Sequence, residues 1–260
     1  MPLTTVQQIL SRISNQFDKT ATIYLDNATT RTQVWNAITQ FPVSPRLGYI
    51  ETLPSTFETG VTSYIPTEIS LNSSTAMPAM ICEMIDMGNL NISTNVFTDG
   101  SAAPTRTYLG TSRQLPMQLW IECTTALNAT PGSMSFTYVD QDNNTAEASS
   151  SLALVASATV GSGSMAQLNS NDWGVLDITT ASRTGGTSPT GVIKFWGLIP
   201  ITYILPGSAF GGSNGSAATD IFPESGNFVR LGTSTQLGVV SLGTTTATSS
   251  YGYIRYVGDN

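Results

Sequence analysis

The chain has 260 residues, 40% of them hydrophobic and only 10% charged, with a formal net charge of −7 and no histidine. This is enough apolar material for one large β domain or two smaller ones. The missing histidine removes the usual general base of serine and cysteine hydrolases and the commonest transition-metal ligand, and the two lysines, Lys19 and Lys194, make no basic patch for a phosphate backbone.

Sixty-eight serines and threonines and 23 glycines supply the polarity that charge usually provides. Threonine fits a pleated, half-buried surface, and serine and glycine fit tight turns, so the composition leans to all-β. The first segment nevertheless has a helical period. Val6, Ile9, Leu10, Ile13 and Phe17 form one stripe, and Thr4 with Gln7 has capping-box spacing. A short amphipathic helix is predicted there. Thr22–Leu25 is strand-like. From Phe41 to Pro66 the prolines at 42, 45, 54 and 66 break any long element. This stretch reads as an extended arm, and Tyr49, Ile50, Phe57 and Tyr64 make it too apolar to hang free. The helix stripe and these four arm residues are the candidate intersubunit contacts.

From residue 67 successive strands are predicted. Met80–Met87 and Asn91–Thr98 carry alternating patterns. Leu115, Met117, Leu119, Ile121 and Cys123 share one face, as do Met134, Phe136 and Tyr138. A strand over Glu147–Ala156, a short piece at Met165–Leu168, and strands at Val175–Thr179 and Val192–Leu205 follow. Residues 207–220 are Gly/Ser-rich and read as a flexible loop. Phe228–Leu231, Leu237–Leu242 and Tyr251–Val257 close the chain. The expected fold is all-β, a β-sandwich or jelly-roll-like body with a short N-terminal helix and an extended arm. Its expected parts are 1–66 (helix and arm), 67–206 (sandwich) and 207–260 (loop and strands packing on the sandwich).

Gly191–Pro206 is the most apolar run, but Lys194, Gly197, Pro200 and Thr202 interrupt it as a membrane helix. Met1–Leu10 lacks the basic and apolar regions of a signal peptide, so synthesis and retention in a cytoplasm are expected. There Cys82 and Cys123 are expected as free buried thiols, with a disulfide between adjacent strands as the alternative.

Several residues invite a chemical role. Asp140, Asp142 and Asn144 have the one-three-five spacing that opens a calcium loop, but Thr145 and Ser151 stand where glycine and a carboxylate are needed. A hairpin turn explains the stretch better. Glu83, Asp86 and Glu122 could in principle act as glycosidase carboxylates; solvated strand faces or interface hydrogen bonds are the expected use. Trp173, in Asp172-Trp-Gly-Val175, is expected to plug one end of the core, with ligand stacking as the alternative. No catalytic, cofactor-binding or metal-ligating residue is assigned, and no cofactor is expected.

Four stretches resemble β-rich structural proteins of tailed bacteriophages, the head decoration and minor capsid group. They are Leu119-Trp-Ile-Glu-Cys123, Ser133-Met-Ser-Phe-Thr-Tyr-Val-Asp-Gln-Asp142, Asp172-Trp-Gly-Val-Leu-Asp177 and Gly191-Val-Ile-Lys-Phe-Trp196. The likeness covers roughly residues 115–205 and rests on turn chemistry; Asn143 stands where the group has a turn glycine. It implies a non-enzymatic virion component, made in the bacterial host cytoplasm, whose partners are other capsid or virion proteins and copies of itself, as a homo-oligomer. No nucleic-acid or membrane partner is expected. A tail-fibre or receptor-binding module, binding glycan through exposed aromatics such as Trp196 or Tyr251, is the alternative.

Overall fold

A computed structural model describes residues 19–25, 46–49, 63–73, 79–100, 114–161, 163–204, 217–220, 231–232, 236–241 and 250–259. These residues are all-β, and every sheet pairing among them is antiparallel. The predicted N-terminal helix lies outside them, as do Val6, Ile9, Leu10, Ile13, Phe17, Ile50 and Phe57.

The strands are β1 (Lys19–Leu25), β2 (Arg46–Tyr49), β3 (Ser63–Ser73), β4 (Ala79–Asn91), β5 (Val96–Asp99), β6 (Gln118–Thr125), β7 (Ser133–Asp140) and β8 (Glu147–Ala148). They continue as β9 (Leu152–Ala153), β10 (Gly163–Met165), β11 (Val175–Thr184), β12 (Val192–Ile204), β13 (Ala217–Asp220), β14 (Leu231–Gly232), β15 (Gln236–Ser241) and β16 (Ser250–Asp259). A seven-stranded sheet runs β10-β6-β12-β4-β15-β2, with β5 also on β4. A four-stranded sheet runs β11-β7-β8, with β9 also on β7. A five-stranded sheet runs β1-β16-β3-β13, with β14 also on β3.

The seven-stranded sheet is apolar on both faces, so β4, β6 and β12 read as nearly continuous hydrophobic runs. On one face Ile81, Ile85, Leu119, Ile121, Cys123, Ile193, Phe195 and Ile199 join Met134, Phe136, Tyr138, Val175 and Ile178 of β7 and β11 in one core. Rings meet edge-on where these two sheets touch: Phe136 and Phe195 lie 5.7 Å apart at 64°, and Phe97 and Phe195 6.0 Å apart at 77°. On the other face Met80, Cys82, Met84, Trp120, Trp196 and Leu198 form a second cluster. In β7, by contrast, buried and half-buried residues alternate strictly, because that sheet packs on one side only.

Parts of the predicted arm and loop are paired strands. Tyr49 pairs with Gly238 in the seven-stranded sheet, and Tyr64, second in β3, stands opposite Leu231 and Gly258. Ala217–Asp220, expected in a flexible loop, pairs with β3. Ile65 and Val257, opposite each other in β3 and β16, are both buried.

Two predicted strands are broken by their own polar side chains. Asn91–Thr98 is not one strand: the Asn91 side-chain oxygen accepts the N–H groups of Ser93 (3.0 Å) and Thr94 (3.2 Å), and Asn95 takes φ 55°. This Asx turn reverses the chain into the β4–β5 hairpin. Glu147–Ala156 splits into β8 and β9 around Ser149, whose hydroxyl accepts the Phe136 N–H (2.9 Å) while its own N–H bonds the Phe136 carbonyl (2.9 Å). Gly191 opens β12 at φ +117°, where a Cβ would lie 2.4 Å from Leu127 and 2.8 Å from the Thr125 carbonyl.

Candidate functional site

Sequence alone leaves paired-acid chemistry open for the carboxylates. Glu83 and Glu122 are each only 1% exposed, so neither sits on a solvated strand face. Strand alternation separates them. Glu83 lies between Ile81 and Ile85 on the face toward β7, whereas Glu122 shares the Trp120 face. The sheet itself stands between the two acids, so they cannot flank one glycosidic bond.

Glu122 instead belongs to a three-strand polar cluster. It faces Lys194 across the β6–β12 pairing, and its carboxylate accepts the Trp196 indole N–H at 2.7 Å. Lys194 reaches the other way to Asp86 on β4 (2.6 Å), its ammonium 4.6 Å from the Trp196 ring centroid. Asp86 also accepts the Gly88 N–H at 3.0 Å. The cluster ties β6, β12 and β4 together at one end of the second apolar cluster. Sequence reading named these residues singly; their association depends on strand register. Trp196, expected as an exposed glycan platform, is 8% exposed with its indole N–H occupied.

Cys82 and Cys123 are buried thiols, not joined in a disulfide. They lie on strands that flank β12, in clusters on opposite faces, beyond the reach of a disulfide. Burial is the main cause that pushes the Cys123 thiol up to about 11, and the Glu122 charge adds to it against the Leu127 backbone hydrogen bond. The Cys123 thiol donates to the Thr125 carbonyl at 3.1 Å.

The Asp140–Asn144 stretch is a hairpin turn whose ligands are its own backbone and side chains. Asp140 accepts the N–H groups of Asp142 (2.9 Å) and Asn144 (2.7 Å) and the Asn144 side-chain amide (2.7 Å). Burial favours the neutral acid, but these three bonds outweigh it and hold the carboxyl below its ordinary range. Among the described residues, no three of Cys, Asp and Glu gather as a metal site would require.

Trp173 does not plug the core: it is 58% exposed. Its N–H donates to the Gln141 side-chain oxygen (3.2 Å), while Asp172 accepts the Tyr138 hydroxyl proton (2.6 Å). Gly174 is the residue seated inward, where a Cβ would meet Pro116 at 2.8 Å. Burial first, then the Asp172 hydrogen bond, pushes Tyr138 up to about 12.

Hydroxyls dominate the outer face of the four-stranded sheet, with Asp177 opposite Val139 at one end. Across β7 and β11, Ser133 stands opposite Thr184, Ser135 opposite Ser182, and Thr137 opposite Thr180. The Thr137 hydroxyl lies 2.6 Å from that of Thr179 and 2.7 Å from that of Thr180. Sequence reading found the inward residues Met134, Phe136 and Tyr138; this face is their complement at period two, and it went unremarked.

No known family model matches the chain, and no curated protein matches it. Among solved structures, the infectious bursal disease virus Gx strain is 12% identical over 94% of this chain and 79% of that chain, with TM-score 0.16. T=1 particles of the same virus give 11% identity over 94% and 41%, with TM-score 0.09. Likenesses at these scores bear on neither fold nor function.

Proposed function

We propose that this chain is a non-catalytic structural protein of a tailed-phage head, a decoration (cement) or minor capsid protein that stabilises the shell through intersubunit contacts. In this reading the seven- and four-stranded sheets are the two layers of a jelly-roll-like sandwich. The observation that carries it is the Ser/Thr face of β7 and β11. Hydroxyls can be covered by a neighbouring subunit at little desolvation cost, because they exchange water for protein partners, whereas buried ions cost several kcal/mol each. Many such contacts, each weak, add up when the assembly is multivalent. The separation of Glu83 and Glu122 supports a structural over a glycosidase reading.

The test is to place charge on that face. Ser135→Lys with Ser182→Glu sets opposite charges on facing residues and is expected to leave the unfolding midpoint within the range of surface substitutions, about 0.5 kcal/mol, while abolishing head binding. Binding that survives both charges would remove the face from the account. The second reading, a tail-fibre or receptor-binding module, is favoured by the exposed Trp173.

A further inference from the structure

We propose that the Trp173 corner is a saccharide-binding site for neutral hexoses or N-acetylhexosamines. Trp173 is exposed, yet the chain around it is fixed on both sides. The Asp172 N–H donates to the Asn169 carbonyl (3.0 Å), and the Trp173 N–H is held by Gln141. After Gly174, Val175 and Met117 exchange two backbone hydrogen bonds of 2.8 Å. Below the loop, the Tyr138 hydroxyl donates to Asp172 and accepts the Asn169 N–H at 3.0 Å. With the backbone held this way, only the two side-chain torsions of Trp173 are left to order when a ligand meets the flat apolar face of its indole.

The groups hydrogen-bonded to this loop suit a sugar. Gln141 donates to Asp142 (3.0 Å), and Asn169 donates to Glu147 (2.9 Å), so planar amides and carboxylates are oriented before any ligand arrives. Such groups bond the paired hydroxyls of a pyranose, each both donor and acceptor, while its C–H face stacks on the indole. Asp142, Glu147 and Asp172 lie at the same corner, so sialylated or sulfated sugars are repelled. The site stands whether or not the chain belongs to a phage head.

The test uses the full chain on an array of neutral, N-acetylated, sialylated and sulfated oligosaccharides, with the strongest neutral binder then titrated against variants. Trp173→Ala is expected to weaken binding at least about tenfold, and Trp173→Phe to keep part of it, since stacking is worth about one such factor. Both variants should unfold at the wild-type midpoint, as the ring is exposed. Absence of neutral-sugar binding, a preference for anionic sugars, or equal affinity of wild type and Trp173→Ala would each overturn the proposal. Self-association lost in Trp173→Ala, without sugar binding, would overturn it in favour of a protein contact.

Discussion

Tyr138 shows how a buried polar atom is accommodated here: its ring fills the core, and its hydroxyl bonds Asp172 and the Asn169 N–H at the rim. Tyr138→Phe should therefore cost about 1–2 kcal/mol in urea denaturation. The raised Tyr138 proton affinity also fixes the sign of a pH effect. The folded state keeps the proton where the unfolded chain has lost it, so this stabilisation is full below pH 10 and disappears as pH rises toward about 12. The Phe variant should lose that alkaline dependence. Asp140 works in the opposite sense. Its depressed pKa gives stability above the ordinary value of 3.8, lost as pH falls through the lower folded value, and Asp140→Ala should flatten the acid limb of the stability curve. For the cysteines, burial and the high Cys123 pKa predict slow reaction of both thiols with a thiol reagent in the native protein and fast reaction in denaturant. A rapid native reaction would contradict their placement.

At the scale of elements, the sequence was legible where side chains obey a strict period and illegible where a polar side chain replaces a backbone partner. Met134, Phe136 and Tyr138 announce β7 because one face is core and the other is not. The runs of β4, β6 and β12 were legible as strands, but burial on both faces hides which residue looks which way, and so hid the separation of Glu83 from Glu122. Asn91 and Ser149 broke predicted strands by side-chain hydrogen bonds that no alternation pattern reveals. Trp173 was misplaced for a related reason: its loop is set by Tyr138–Asp172 and Gln141, contacts distant in sequence. Gly191→Ala sets a Cβ against Leu127 and two carbonyls at positive φ, and should destabilise by about 1–3 kcal/mol in thermal or urea unfolding.

For the whole molecule, low charge, abundant hydroxyls and a sheet buried on both faces fit the proposed role, in which the fold is invested in packing and the outward chemistry is contact. Composition made the all-β class legible at once. The proposed assembly role is not legible in this way, because a Ser/Thr face gives the same alternation whether it meets water or a neighbour. The direct measurement is sedimentation of intact phage heads, with the ratio of this chain to the main shell protein read from the particle fraction. The account predicts that the chain travels with the particles in a fixed ratio, and that heads assembled without it break at lower temperature. A chain left wholly at the top of the gradient as a lone monomer, with heads equally stable in its absence, would contradict it.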